Sequence, residues 1–179
     1  MLRTIFLACL MLIPLTAVAD AAWVKVDTQQ ATVTVLKDGQ TVLQLKNAAF
    51  GRGGVGMLHK QGDGRTPLGS YRIAWINHQS PFHVFFGLNY PTAHQALYGF
   101  VEGILDENAL DKIREANASG EVPPQNTALG GQIGIHGLGQ GSLWMHRHFN
   151  WTEGCVALTN KQIEKLAHWL EIGTRVVIQ

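Results

Sequence analysis

Cysteine is nearly absent from this chain. Its 179 residues hold two, Cys9 and Cys155, and Cys9 lies within an N-terminal apolar run. An excess of charge of either sign is absent as well, with 14 basic against 13 acidic residues and no basic block. That balance excludes electrostatic steering onto nucleic acid or an anionic lipid surface. The only long apolar run, Ile5 to Ala19, is interrupted by Pro14 and Thr16. It is too short for a comfortable transmembrane helix. Internal repeats, low-complexity stretches and a linker are also missing, which leaves one domain.

The N-terminus has the build of an export leader. Arg3 precedes the apolar run, and Ala17-Val18-Ala19 supplies the small-x-small pattern of a cleavage site. Cleavage is expected before Asp20, with Ala19-Asp20-Ala21 as a near alternative and an uncleaved anchor as the competing reading. Phe6-Leu7-Ala8 makes a poor lipobox before Cys9. The expectation is a signal peptide over 1–19 and a single domain over 20–179, with no stable membrane insertion once the leader is gone. About 160 residues suffice for a real core. An oxidising compartment normally pairs cysteines. Cys155, alone after cleavage, is then an intermolecular bridge, a reactive thiol, or an inert thiol packed as a small hydrophobe.

Glycine is frequent, at 20 residues, and helical periodicity is scarce. Strands are expected at Trp23 to Val26, Thr32 to Leu36 and Thr41 to Leu45, the last two joined at Asp38-Gly39. Gly51 to Gly64 reads as a long loop with some strand. Gly69 to Asn77 reads as a strand with Tyr71, Ile73 and Trp75 on one face. His83 to Leu88 is another strand candidate, and Glu121 to Gly131 a loop. One helix is capped by Asp106 and ends near Gly120. A second starts from the Thr159/Gln162 capping box, carries Ile163, Leu166, Ala167 and Leu170 inward, and stops at Gly173. A strand over Thr174 to Ile178 follows. The fold class is mainly β, sandwich-like with mixed sheets and a few peripheral helices.

The chemistry gathers near Cys155. In the strand expected over Gln132 to His136, Ile133 and Ile135 take one face, so Gly134 and His136 take the other. Leu138 to Trp151 is read as a loop long enough to fold back. An imidazole close to Cys155 would lower its pKa and take its proton, giving a thiolate–imidazolium pair. It could then protonate a leaving amine. Glycine at 154 permits close approach of a substrate, and the turn there can aim backbone N–H groups at an oxyanion. His136 and Cys155 are 19 residues apart. Spacing alone leaves a hydrogen-bonded structural histidine open.

Ile133-Gly134-Ile135-His136-Gly137, then Thr152-Glu153-Gly154-Cys155-Val156-Ala157-Leu158-Thr159-Asn160, resembles the signature of the YkuD-type L,D-transpeptidases. Gly62-Asp63-Gly64-Arg65-Thr66-Pro67-Leu68-Gly69-Ser70-Tyr71 and Asn89-Tyr90-Pro91 extend the resemblance to roughly Val33–Gln179. It implies the L,D-transpeptidase catalytic domain fold. It implies Cys155 as nucleophile, His136 as general base and acid, the Gly137 carbonyl orienting the imidazole, and backbone N–H groups at Gly154 and Cys155 as an oxyanion hole. The implied partners are peptidoglycan stem peptides in the periplasm or cell envelope. The acceptor is an amine of a second stem, a D-amino acid or an outer-membrane lipoprotein; with water the activity becomes that of a carboxypeptidase. No metal or other cofactor is implied.

Two positions depart from that pattern. Glu153 stands where the family has histidine, and Ala157 where a basic residue is common. Glu153 could hold a substrate ammonium group, or be a solvated surface acid. Thr152, beside it, is counted with the substrate contacts. Arg147 could fork onto a substrate carboxylate, or be solvated. His146 and His148 lack the acidic or cysteine neighbours of a zinc site. Trp144, Phe149 and Trp151 are candidates for a groove wall, with core packing as the alternative. Arg65 and Tyr71 could touch substrate, or hold a turn and a strand.

Overall fold

The computed structural model describes residues 21–179. The expected leader, including Cys9, lies outside the described residues. Along the chain come β1 (Trp23–Asp27), β2 (Thr32–Lys37), β3 (Gln40–Lys46), β4 (Val55–Gly56), β5 (Thr66–Pro67), β6 (Gly69–Asn77) and β7 (Phe85–Leu88). Helices α1 (Ala93–Val101) and α2 (Glu107–Ser119) precede β8 (Gly134–His136). Then follow α3 (Leu143–His148), β9 (Val156–Ala157), α4 (Asn160–Ala167) and β10 (Arg175–Ile178).

Alternating valines build the first part of the sheet. Val24 and Val26 of β1 lie opposite Val35 and Val33 of β2, and all four are fully buried. Asp38 and Gly39 both take positive φ, 51° and 72°, the geometry that a two-residue hairpin needs to match strand twist. Eight strands join in the order β3-β2-β1-β10-β6-β7-β8-β9. β10 runs parallel to β1 and antiparallel to β6, so the sheet is mixed. The chain is mostly β with a few helices, as its composition indicates.

Two departures in β6 matter for the site. Tyr71 is 1% exposed, and its hydroxyl shares its proton between the Pro67 and Leu68 carbonyls while accepting from Gln95 Nε2. It is a core anchor, which corrects the expectation that it meets substrate. Trp75 does not share a face with Tyr71 and Ile73. A register shift pairs Ile73 with Leu88 but Trp75 with Gly87, placing two β6 residues against one on β7. This bulge turns Trp75 over the bare backbone of Gly87, where it stacks on Phe85 at 6.0 Å.

The helices also differ from expectation. α1 begins with the same Thr-x-x-Gln box as α4: Thr92 Oγ1 accepts from the Gln95 N–H, and Gln95 Oε1 from the Thr92 N–H. Its buried positions are Gln95, Ala96 and Gly99, while Leu97, Tyr98, Phe100 and Val101 are exposed. That inversion hides the apolar stripe. α3 occupies part of the stretch expected to be loop, capped by Ser142 Oγ on the Met145 N–H. α4 ends at Ala167, short of Gly173, although Leu170 still reaches the core.

Candidate active site

One face of β6, β7 and β8 forms the floor of a groove of about 400 Å³. Opposite pairs on these strands share that face: Trp75 with Gly87, Gly87 with Gly134, and Phe85 with His136. Their neighbours Ile73, Phe86, Leu88 and Ile135 point the other way and are buried in the core. β9 pairs in parallel with β8, matching Val156 to Ile135 and Ala157 to His136. One step earlier in that register, Cys155 lies against Gly134, on the His136 side. Cys155 and His136 thus line the same groove, as do Thr152 and Glu153. The strand pairing, not the sequence separation, brings them together.

His136 is clamped. Its Nδ1 donates to the Gly137 carbonyl at 2.7 Å, leaving Nε2 for a group in the groove. Asn160 Oδ1 accepts from the Leu138 and Gly139 N–H groups (2.9 and 2.8 Å), and its Nδ2 donates back to Gly139 O (3.0 Å). Asn160 therefore fixes the turn that carries the Gly137 carbonyl. Sequence reasoning assigned it no task, although it closes the Cys155 motif. Phe82, Phe85 and Trp151 surround the imidazole with ring centroids at 4.5, 5.9 and 5.8 Å.

That aromatic enclosure desolvates the ring, and desolvation lowers the His136 pKa below 6.5 against the opposing Gly137 hydrogen bond. Cys155 is half-buried as a residue, yet its sulfur is packed deeply enough that desolvation pushes the thiol up to about 12. The thiol donates to the Gln132 carbonyl at 3.3 Å. Desolvation thus works against the charged form of both groups, and so against the expected thiolate–imidazolium pair, because a buried charge without compensation is the costlier state.

The turn before Cys155 is held from several sides. Thr152 Oγ1 donates to the Cys155 carbonyl (2.7 Å) and accepts from the Gly154 N–H (3.2 Å). The Thr152 backbone pairs with Phe50 and Arg52. Thr152 thus lines the groove as the brace of the cysteine turn. The Gly154 N–H, expected in an oxyanion hole, is engaged with Thr152 instead. Behind Gly154 sits His59, 4% exposed, whose Nδ1 lies 2.9 Å from both Arg65 O and Asp63 Oδ1. The Gly62–Arg65 segment therefore supports the back of the cysteine turn, and Arg65 acts there through its carbonyl.

Glu153 stands at the exposed rim, 3.0 Å from Arg52. Arg147 is not brought to this groove. It borders a separate hollow of about 210 Å³ with Asn47, His146 and Phe149. Trp151 does form groove wall, whereas Trp144 and Phe149 are exposed and pack on each other at 5.6 Å.

Burial of these groups predicts a pH profile for stability. His136 and His146 both have folded pKa values below 6.5. The unfolded chain therefore binds more protons as pH falls through that range, and stability drops on acidification. Cys155, Tyr71 and Tyr90 have raised values, so the folded chain holds protons that the unfolded chain releases, and stability drops again above about pH 9. Thermal unfolding should show a plateau between these limbs. A Tm that rises from pH 7 to pH 5 would contradict the histidine assignment.

The fold and groove define a mainly β domain that sets a cysteine at the entry to β9 beside a clamped histidine on the parallel strand β8. A sequence model of the YkuD family, the L,D-transpeptidase catalytic domain, matches residues 21–178, and the chain belongs to that family. Among solved structures it is similar to the helical cell shape determining protein Pgp2 (K307A mutant) from Campylobacter jejuni. The identity is 22% and the TM-score 0.59, covering 90% of this chain and 48% of that one. It is similar to Bd1075 from Bdellovibrio bacteriovorus at 22% identity and TM-score 0.57, covering 93% and 50%. The chain spans about half the length of these structures. No curated protein matches it in sequence.

Proposed function

We propose that this domain is an exported peptidoglycan L,D-transpeptidase that works through a Cys155 thioester. The observation that carries the reading is the groove that Cys155 and His136 both line, with His136 held through Nδ1 so that Nε2 is the nitrogen left for proton transfer. The Cys155 sulfur attacks a stem-peptide carbonyl while Nε2 takes the thiol proton. The Cys155 N–H faces the developing oxyanion, since the Gly154 N–H is already engaged. The carbon–nitrogen bond breaks, Nε2 returns the proton to the departing amine, and a thioester remains. An incoming amine loses a proton to His136 and forms the new amide as the carbon–sulfur bond breaks, and His136 passes that proton to the departing sulfur. The reaction takes place in the periplasm or cell envelope.

A second reading has water as the acceptor, giving an L,D-carboxypeptidase or an enzyme that detaches lipoprotein. It draws on Glu153, the only carboxylate on the groove lining among the described residues, being paired with Arg52. An acceptor ammonium group then has to compete with a guanidinium. Incubation with disaccharide tetrapeptide, read by mass, separates the two by the fate of the acyl group: cross-linked dimers against uncross-linked disaccharide tripeptide, with D-alanine released in both. Cys155→Ala should lose both activities completely. Turnover in that variant would refute the mechanism.

A further inference from the structure

His146 lies on α3, outside the groove, and is 4% exposed. Its Nδ1 accepts a hydrogen bond from Trp151 Nε1 at 3.4 Å. A nitrogen that accepts carries no proton, so the ring is neutral with its hydrogen on Nε2. That Nε2 is buried, and the further polar neighbour of the ring is the Asn47 backbone. Trp151 connects it to the site. The indole stands edge-on to the His136 ring at 5.8 Å and also touches Phe82, with centroids 6.3 Å apart. The next residue, Thr152, braces the Cys155 turn.

Resting on the Cys155/His136 reading, we propose that His146 is a positioning residue: it locks the Trp151 indole as the wall that keeps water from His136 and fixes the groove. The lock depends on tautomer, because an Nδ1–H would face the indole N–H donor to donor. The titratable groups around His146 are Arg147 and His148 on its own helix, and His136 beyond the Trp151 ring; the Asn47 segment contributes its backbone. Burial, which lowers the His146 pKa, keeps the required neutral form populated near neutrality.

Three variants test it. His146→Gln retains an acceptor for the indole, His146→Phe retains an aromatic ring without one, and Trp151→Phe removes the donor. The probe is iodoacetamide, with alkylation of Cys155 followed by mass across pH. His146→Phe and Trp151→Phe should slow alkylation about tenfold, on the sensitivity of reaction rate to displaced groups. They should also move the lower inflection of the profile upward, toward the ordinary imidazole value, as water reaches His136. His146→Gln should stay close to the parent in both. A role in packing alone would lower Tm in His146→Phe and leave the inflection in place, and that result overturns the proposal. On the parent protein, long-range ¹⁵N correlation spectra should show the Nε2–H tautomer at His146, and an Nδ1–H tautomer refutes the lock. Neither readout needs peptidoglycan. Failure of the tetrapeptide assay would therefore sink the substrate assignment without touching this result, and the reverse also holds.

Discussion

His136→Ala should slow acylation of Cys155 about a thousandfold near neutral pH, within the usual range for losing a general base. With burial pushing the thiol up to about 12, the thiolate is scarce at pH 7. Nucleophilic attack then requires the proton to leave as the bond forms, and in the proposed mechanism His136 Nε2 accepts it. Because desolvation lowers the His136 pKa, the imidazole is already the free base at neutrality. The parent rate should therefore rise through an inflection below pH 6.5 and then level off. In the variant the rate should climb steadily with pH, following the small thiolate population. Ultraviolet thiolate absorbance gives a second check. The neutral pair predicts none at pH 7, whereas a strong thiolate signal would mean a preformed ion pair and would refute the proton-transfer scheme. Unchanged alkylation in His136→Ala would remove the histidine from the mechanism.

Gly154→Ala should cost about a hundredfold in the same rate, a typical penalty for displacing a reacting group by about an ångström. Gly154 adopts φ +133°, and a Cβ there would stand 2.7 Å from the Arg65 carbonyl, 2.9 Å from Ile133 Cδ1 and 3.2 Å from His59 Nδ1. Two of these are fixed by the Gly62–Arg65 segment, so the cysteine turn is what must move. Strain at such a position costs about 1–3 kcal/mol in stability. Gly103→Ala is the matching control: φ is also positive, at +68°, but nothing lies within 4 Å of the added carbon. It should lose comparable or less stability and no activity. Equal rates in the two variants would mean that the packing behind Gly154 does not aim Cys155.

Much of this protein could be read from local pattern. Alternating valines, the Asp38-Gly39 turn and the Thr159/Gln162 box each bring their own geometry, so β1, β2, β3 and the start of α4 lie where the residues place them. α1 escaped notice although it repeats the Thr-x-x-Gln box, because its exposed side carries the large apolar residues. Tyr71 and Arg147 have side chains suited to a substrate contact as well as to a structural or solvated role, and their chemistry alone does not separate the two. Only packing shows that one is sealed in the core and the other faces a different hollow.

The order of residues by itself determined the mainly β class, the isolation of Cys155 beyond the expected leader, and the two short motifs that hold Cys155 and His136. Those depend on side-chain chemistry and on spacings of a few residues, which a chain displays directly. The tertiary structure alone decided that β8 and β9 lie side by side, that a bulge turns Trp75 over Gly87, and that Asn160, His59 and His146 stand behind the groove. It also decided how strongly each member of the pair is desolvated. Desolvation depends on how many atoms from distant segments close around a ring or a sulfur, and that crowding exists only once the chain has folded.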